Sequence, residues 1–288
     1  MLMFDYAALE ALSAVLATGS FEAAAARLHV TPSAVSQRIR TLEDRMGAVL
    51  VVRGTPCTGT EAGLRLARHA EAVALLEAEL TPPEAPPVLR IAVNADSLAT
   101  WVLPALAAVP DRLFDLVIDD QDHSADWLRR GEVVAAVTSS ARAVPGCDVR
   151  PLGALRYLAT ASPAFIARHF PEGLSTAALA RAPALVFNEK DGLQAAWLRQ
   201  VTGESPPLRA HRIASTTAFV EAAELGLGWG MNPEVLVRGA IAAGRLAALA
   251  PEPLAVALYW QSARRLAGPL APLTRAMRAA AGRVLLPG

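Results

Sequence analysis

The sequence predicts a mixed α/β protein in which a small, mainly helical N-terminal unit precedes a larger α/β domain. Two short amphipathic helices meet at a tight turn within residues 20–45, and four prolines fall within residues 81–87. After this segment, short apolar runs alternate with helical segments. Because closely spaced prolines cannot continue a helix and form a semi-rigid spacer, we place the domain boundary at residues 81–87.

Capping signals define the pair of short helices. Ser20 is a favourable N-cap for a first helix, in which the alanines at 23–26 allow close packing. Thr31 is a second N-cap, and Pro32 takes the first helical position, where its missing N–H is not needed. The second helix is therefore predicted to begin at Pro32.

The second helix has an apolar face and a polar face. Its apolar positions are Ala34, Val35, Ile39 and Leu42, and its polar positions are Ser33, Ser36, Gln37, Arg38 and Arg40. Side chains of the polar set are of the types that read base edges and contact phosphates. Many helical pairs only pack against each other, but the coincidence of cap and turn signals favours recognition of double-stranded DNA.

A short wing is predicted after the second helix. Gly47 ends that helix, residues 49–53 form a short apolar strand, and residues 55–60 supply a turn before another helix begins at Glu61. Residues 1–60 are therefore predicted to form a winged helix-turn-helix. Its candidate DNA-contacting residues are Ser20, Thr31, Pro32, Ser33, Ser36, Gln37, Arg38, Arg40 and Arg53.

Composition is that of a core-forming globular protein, with 288 residues, 53% hydrophobic and 19% charged. The net charge is zero, so the argument for DNA rests on local charge: five arginines from Arg27 to Arg53 face two acidic residues. Cys57 and Cys147 fall in different units, which argues against a structural disulfide and fits a reducing compartment. With no signal-peptide pattern and no apolar run of about 20 residues, we expect a cytoplasmic protein with no membrane partner.

Residues 61–87 are predicted to form a linker helix followed by the proline-rich hinge. Leu66, Val73 and Leu80 recur every seven residues, with Ala70 and Leu76 between them. Such a stripe favours pairing with the same helix of another chain, which would place two winged helix-turn-helix units side by side. The alternative is that this helix packs on its own winged domain.

The predicted strands of the α/β domain are short and apolar. They cover residues 88–93, 116–118, 133–137, 157–160, 184–187 and 254–259. Ligands in such sheets settle outside the carboxyl ends of strands, often against a helix N-terminus. Ser97 and Thr100, at the start of a predicted helix over 98–108, are therefore candidates to hold a carboxylate. Plain N-capping by Asp96 or Ser97 is the alternative.

The chain resembles the LysR-type transcriptional regulators. The resemblance is carried by TPSAVSQRIRTLE in the second helix, by the helical linker and by the α/β domain. The segments NADSLATW, QDHSADWLRRGEVVAAVTS, GCDVRPLG and GLGWGMNPE are similar to the ArgP/LysG branch. This resemblance implies that residues 88–288 form an effector-binding domain like the periplasmic binding proteins. The ligand would lie between lobe I (88–160 and 263–288) and lobe II (161–262).

The resemblance also implies a function and partners. Members of this branch sense a basic amino acid, lysine or arginine, and activate a gene for amino acid export. The expected assembly is a homodimer or a dimer of dimers that works with RNA polymerase. The alternative is a LysR-type regulator that responds to a different small molecule and acts mainly as a repressor.

Charge also indicates a cationic ligand. Six aspartates accompany the single Arg112 between residues 111 and 126, and the middle ones follow the second predicted strand. Asp120 and Asp122, next to His123, are the candidates for binding an ammonium or guanidinium group, while Ser97 and Thr100 take the α-carboxylate. Aspartates are more often solvated surface residues, which is the alternative.

The remaining candidate ligand contacts are aromatic or lie in lobe II. Trp101 and Trp229 are candidates to pack against the aliphatic part of the ligand side chain; the alternative is that they are core residues. Asn188 and Asp191 follow a predicted strand and are candidates to orient the α-amino group. Ser215 and Thr216 mark another predicted helix start that faces the cleft.

Motifs for cofactor binding and catalysis are missing from the sequence. The glycines at 226, 228 and 230 do not match GxGxxG, and no HxxxH, CxxC or GxSxG pattern occurs. We therefore predict no cofactor, no metal site and no enzymatic activity.

Overall fold

The computed structural model describes residues 4–80, 88–119 and 124–287, and the chain divides between Pro87 and Val88 into two units. In the N-terminal unit, three helices precede a two-stranded antiparallel sheet and a fourth helix. The elements are α1 (Tyr6–Thr18), α2 (Phe21–Arg27), α3 (Pro32–Met46), β1 (Val51–Val52), β2 (Thr58–Gly59) and α4 (Glu61–Glu77). The predicted helical pair and wing are both present.

Helix α3 begins and ends where its capping residues predict. Thr31 Oγ1 accepts a hydrogen bond from the backbone N–H of Ala34 at 3.2 Å, and Pro32 is the first helical residue. Gly47 follows the last turn with φ 61°, a left-handed conformation that a residue without Cβ adopts at little cost. These local signals fix the position of the helix along the chain.

The core of the N-terminal unit joins α1 to the other helices and the wing. Its large buried members are Leu9, Leu12, Val15, Val35, Ile39, Leu42, Leu50, Val51 and Leu66. Helix α1, which the sequence analysis did not identify, supplies several of them. Burying one such side chain contributes roughly 1.5–3 kcal/mol, so α1 is a principal support for α3.

The linker helix α4 differs from the prediction in length and in packing. It ends at Glu77, so Leu80, the last residue of the predicted stripe, lies beyond it. Leu66 packs in the core of its own unit, as the alternative proposed, whereas Leu76 is 40% and Leu80 85% exposed. Residues 81–87, the proline-rich hinge, lie outside the described residues.

The C-terminal unit is an α/β domain. Its strands are β3 (Val88–Val93), β4 (Leu113–Ile118), β5 (Ala135–Thr138), β6 (Cys147–Ala161), β7 (Ala184–Val186), β8 (Ala210–Arg212), β9 (Gly230–Pro233), β10 (Ala247–Ala248) and β11 (Leu254–Ala263). Its α-helices are α5 (Ala95–Ser97), α6 (Leu103–Ala107), α7 (Ser124–Arg129), α8 (Pro163–His169), α9 (Thr176–Arg181), α10 (Leu193–Thr202), α11 (Thr216–Glu224), α12 (Glu234–Ala242) and α13 (Ala271–Val284). A π-helical turn (Leu98–Val102) joins α5 to α6, and a 3-10 turn (Arg264–Leu266) precedes α13.

Two long strands connect the halves of this domain. Strand β3 pairs in parallel with β4 and β5, so the carboxyl ends of these strands meet at one edge. Strands β6 and β11 pair antiparallel along their length; β11 also pairs with β5, and β6 with β9 and β10. We use lobe I for the half with β3, β4, β5, α5–α7 and α13, and lobe II for the half with β7–β10 and α8–α12.

Several strand assignments differ from the sequence prediction. Strand β6 begins at Cys147 rather than at residue 157. Its first part includes the exposed residues Arg150 and Pro151, so it does not form the apolar run on which the prediction relied. Strands β8, β9 and β10 were not predicted; each has four residues or fewer. In the described ranges, no helix has the length and apolar character needed to cross a bilayer.

Candidate functional site

Helix α3 presents a polar face opposite its buried one. Val35, Ile39 and Leu42 point into the core. Thr31, Pro32, Ser33, Gln37 and Arg40 are exposed, while Ser36 and Arg38 are half-buried. A helix of 15 residues with an exposed polar and cationic face has the size and chemistry to enter the major groove of DNA.

Ser20 is both a cap of α2 and a candidate DNA contact. Its Oγ accepts hydrogen bonds from the backbone N–H groups of Glu22 and Ala23, each at 3.2 Å. The same hydroxyl donates to Glu22 Oε2 at 2.8 Å. This hydrogen bond, followed by one from the backbone, lowers the pKa of the Glu22 carboxyl. The ionised carboxylate lies in the first turn of α2, where the helix dipole favours negative charge.

The wing is attached to both short helices. Glu43 Oε1, on α3, accepts hydrogen bonds from the N–H groups of Leu50 and Val51 at 2.8 and 3.3 Å. The guanidinium of Arg53 lies 5.1 Å from the ring centroid of Phe21, the first residue of α2. Arg53 is exposed, so it offers its charge to solvent while its position is held by a cation–π contact.

A cleft lies between the lobes of the C-terminal unit. Its walls follow the carboxyl ends of β3 and β4, the loop after β7, the start of α11 and strand β9. The lining residues are Asn94, Ala95, Asp96, Ile118, Asp119, Phe187, Asn188, Asp191, Leu193, Thr216, Phe219, Met231, Asn232 and Pro233. This set includes three carboxylates and no cationic side chain, so the lining residues by themselves favour a positively charged group.

Asp96 forms one contact across the cleft. Its Oδ1 accepts a hydrogen bond from Thr216 Oγ1 at 2.9 Å, and its Oδ2 accepts one from the Tyr157 hydroxyl at 2.9 Å. Thr216 is the first residue of α11 in lobe II, and Tyr157 belongs to β6. The carboxylate that follows β3 is therefore tied to the other lobe and to a strand that joins both.

Asp119 forms a second contact across the cleft. Its Oδ2 accepts a hydrogen bond from Trp127 Nε1 in lobe I, and its Oδ1 lies 2.9 Å from the Lys190 ammonium nitrogen in lobe II. The side chain of Asp119 is 15% exposed and that of Lys190 is 48% exposed. The carboxylate after β4 thus already holds one cation in this structure.

The loop after β7 is fixed by its own side chains. The Asp191 carboxylate accepts hydrogen bonds from the N–H groups of Phe187 and Leu193 and from Gln194 Nε2. Asn188 Oδ1 accepts one from the N–H of Lys190 at 2.8 Å. Asp191 and Asn188 line the cleft as predicted, but much of their hydrogen-bonding capacity holds the loop.

Two amides in the cleft retain hydrogen-bonding capacity. Neither the oxygen nor the nitrogen of the Asn94 side chain, which is 3% exposed, has a partner in the described part of the chain. Asn232 Nδ2 donates to Thr160 Oγ1 at 2.9 Å, while its Oδ1 has no partner in those ranges. Because buried amides are normally hydrogen-bonded, these atoms are suited to contact a polar ligand.

The structure separates the other predicted ligand contacts from the cleft lining. Trp101 and Trp229 are buried in the core, the latter 5.4 Å from the ring of Trp197, so the core alternative describes them. Thr100 Oγ1 donates to the carbonyl of Asp96 at 2.6 Å. Ser97, fully buried, and Ser215, which caps α11, also do not belong to the lining. Asp120, Asp122 and His123 lie outside the described residues.

The cleft residues that the sequence analysis missed fall into two groups. Asn94, Asp96 and Asp119 directly follow β3 and β4, so the rule that ligands bind beyond strand ends applies to them. Phe219, Met231 and Asn232 lie on α11 and β9. Met231 and Asn232 carried no sequence signal, because β9 itself was not recognised, and Phe219 is one of several apolar residues of a helix with nothing local to mark it. In the described residues no group of acidic, cysteine and histidine side chains is arranged to hold a metal ion.

Two family models cover most of the chain. Residues 6–64 match the model described as bacterial regulatory helix-turn-helix protein, lysR family. Residues 84–285 match the model described as LysR substrate binding domain.

Known proteins resemble the whole chain. The HTH-type transcriptional regulator LysG of Mycobacterium tuberculosis is 46% identical over 279 residues, which is 95% of this chain and 92% of that protein. The crystal structure of ArgP from the same species has a TM-score of 0.86 and 45% identity, covering 98% of both chains. Full-length LysG from Corynebacterium glutamicum, with the effector Arg bound, has a TM-score of 0.75 and 37% identity, covering 99% of this chain and all of that one.

Proposed function

The chain belongs to the LysR family of bacterial transcriptional regulators, and we propose that it senses a basic amino acid, arginine or lysine, and controls a gene for amino acid export. As a member of this family it is a DNA-binding regulator and not an enzyme. The observation that carries the proposal on the ligand is the charge of the cleft: three carboxylates are among its lining residues, and one of them, Asp119, already binds the ammonium of Lys190. That the similar LysG structure holds arginine supports the same ligand class.

The proposed ligand orientation uses the polar groups at the strand ends. The cationic end of the side chain would bind Asp119, and Asp120 and Asp122, which follow it in the chain, would add negative charge. The amide of Asn94 offers a donor for the α-carboxylate and an acceptor for the α-amino group, and Asn232 offers a second acceptor.

The proposed DNA contacts are the polar residues of α3 and Arg53 in the wing. Arg38 and Arg40 would contact phosphates or base edges, and Ser33 and Gln37 would read base edges. We propose that the protein acts on promoter DNA in the cytoplasm as a homodimer or dimer of dimers together with RNA polymerase. The apolar positions of α4 that remain exposed, Leu64 and Leu76, support pairing through this helix.

Calorimetry with matched pairs of amino acids tests the ligand class. Citrulline has nearly the shape of arginine but a neutral side chain, and norleucine has the four-carbon side chain of lysine without its ammonium group. We expect arginine or lysine to bind at least tenfold more tightly than its neutral counterpart. The substitution Asp119→Asn, which keeps an acceptor for Trp127, should reduce this preference. If citrulline and norleucine bind as tightly as arginine and lysine, the charge argument is wrong.

A further inference from the structure

The chain contains a single lysine, Lys190, and every other basic side chain except histidine is an arginine. That lysine reaches from lobe II to the Asp119 carboxylate of lobe I, with 2.9 Å between Nζ and Oδ1. An ammonium on a four-carbon stem is also the side chain of free lysine, one of the two proposed ligands. A side chain with the chemistry of the ligand thus occupies a carboxylate that lines the ligand cleft.

The backbone around Lys190 is held firmly, whereas its side chain is half-exposed. The N–H of Lys190 donates to Asn188 Oδ1, and the next residue, Asp191, accepts three hydrogen bonds from the loop and from α10. The loop therefore sets where the stem begins. The stem itself is 48% exposed, so the ammonium can leave Asp119 for water by rotating about side-chain bonds alone.

Asp119 is held in place independently of Lys190. Trp127 Nε1 donates to its Oδ2 at 2.9 Å, and Trp127 belongs to α7 of the same lobe. When the ammonium leaves, the carboxylate keeps this hydrogen bond and its orientation. A second cation that approaches Oδ1 meets the positive charge of Lys190, so the two cations compete for the same oxygen.

We propose that Lys190 is a built-in competitor of the effector: it occupies the Asp119 carboxylate in the absence of ligand and is displaced by the cationic end of the bound amino acid. This inference deepens the proposed function and rests on the binding of a basic amino acid in the cleft. Displacement removes one contact between the lobes at the moment the ligand arrives. It also makes binding selective for cationic ligands, because only a ligand that carries a cation to Asp119 can take the place of the ammonium.

The proposal predicts that removal of the Lys190 charge affects cationic ligands and not neutral ones. An exposed ion pair of this kind is worth up to roughly a fivefold change in an equilibrium. The substitution Lys190→Met keeps most of the stem and removes the competing charge. It should strengthen arginine and lysine binding about three- to fivefold and leave citrulline unchanged. A lysine that merely latched the lobes would instead change the affinity for all ligands in the same direction.

A charge-matched control lies in the same lobe. Arg212 is 65% exposed and has its nearest acidic partner, Glu189, at 3.8 Å. The substitution Arg212→Met also removes one positive charge. Arg212 lies near the loop that contains Lys190, because it pairs with Val186, the last residue of β7 before that loop. It should leave the affinities for arginine and citrulline within a factor of two of those of the unsubstituted protein.

The single lysine permits a direct test in the full-length protein. Reductive methylation with ¹³C-formaldehyde converts Lys190 and the N-terminal amine into dimethylamines that keep their positive charge. Each gives one resolved methyl resonance, and the Lys190→Arg variant identifies the signal from Lys190. During titration with arginine, this signal should move toward its position in the Asp119→Asn variant; citrulline at the same concentration should not move it.

Each result of this titration decides a different point. If arginine binds by calorimetry and the Lys190 signal moves as described, the competitor model is supported. If arginine binds while the signal stays in place, the competitor model is wrong and the proposed function stands. If neither arginine nor lysine binds, the proposed function fails and the inference fails with it.

Discussion

The hydrogen bond from Thr216 to Asp96 is expected to be the stronger of two contacts across the cleft. Thr216 is 8% exposed, and its hydroxyl donates to a carboxylate oxygen at 2.9 Å. Hydrogen bonds to charged groups contribute about 1.5–3 kcal/mol. Because Asp96 lines the cleft and its oxygen can regain a water molecule, we take the lower value, about 1.5 kcal/mol.

The substitution Thr216→Val tests this estimate, because valine keeps the branched shape and removes the donor. For a unit of about 200 residues, 1.5 kcal/mol corresponds to a fall in Tm of about 3–6 °C. Differential scanning calorimetry of the full-length protein measures it. The control is Thr217→Val: Thr217 is exposed and its hydroxyl lies 3.3 Å from Ser215 Oγ, so the Tm should change by less than about 1 °C. Equal shifts for both variants would refute the assigned role of Thr216.

Two further predictions concern the N-terminal unit. Arg40→Ala, on the exposed face of α3, should weaken DNA binding and reduce the slope of log K against log salt concentration by about one. Fluorescence anisotropy with the promoter fragment measures both. The control Arg181→Ala removes the same charge from α9 and should change neither. Gly63→Ala should destabilise the unit by more than about 1 kcal/mol in urea unfolding, because a Cβ there would overlap the carbonyl of Leu50. The control is Gly239→Ala in α12 of the C-terminal unit, a helical site with open space around it, which should instead stabilise its own unit by about 0.5–1 kcal/mol. The opposite order of effects would contradict the packing argument.

Local signals made the N-terminal unit predictable in most of its parts. The caps at Ser20 and Thr31 and the stop at Gly47 depend on neighbouring residues, and the structure confirms each of them. Helix α1 was missed for a physical reason. Its sequence, YAALEALSAVLAT, is apolar around most of its circumference, so it lacks the one-sided periodicity by which a surface helix is recognised.

The cleft was predictable in part from each lobe. In lobe II, the candidates Asn188, Asp191 and Thr216 line it. In lobe I, the signal was one of charge. Asp119 belongs to the run of aspartates that suggested a cation, and it directly follows a strand. Its partner Lys190 lies 71 residues away, and Thr216 lies 120 residues from Asp96. Such pairings depend on how the two halves of the domain meet, which no local pattern encodes.

Two of the contacts that cross the cleft differ in how easily they are broken. Thr216, which contacts Asp96, is nearly buried, whereas the side chain of Lys190, which contacts Asp119, is half-exposed. The proposed ligand would therefore alter the contacts between the lobes at Asp119, because replacing the ion pair with Lys190 by an ion pair with the ligand costs little free energy. Such an exchange can shift the equilibrium between lobe arrangements only by the difference in free energy between the two ion pairs. This difference corresponds to a severalfold change in the equilibrium constant at most. We therefore expect most of the affinity for the proposed ligand to come from other groups of the cleft, among them the buried amide atoms of Asn94 and Asn232 that have no partner in the described part of the chain.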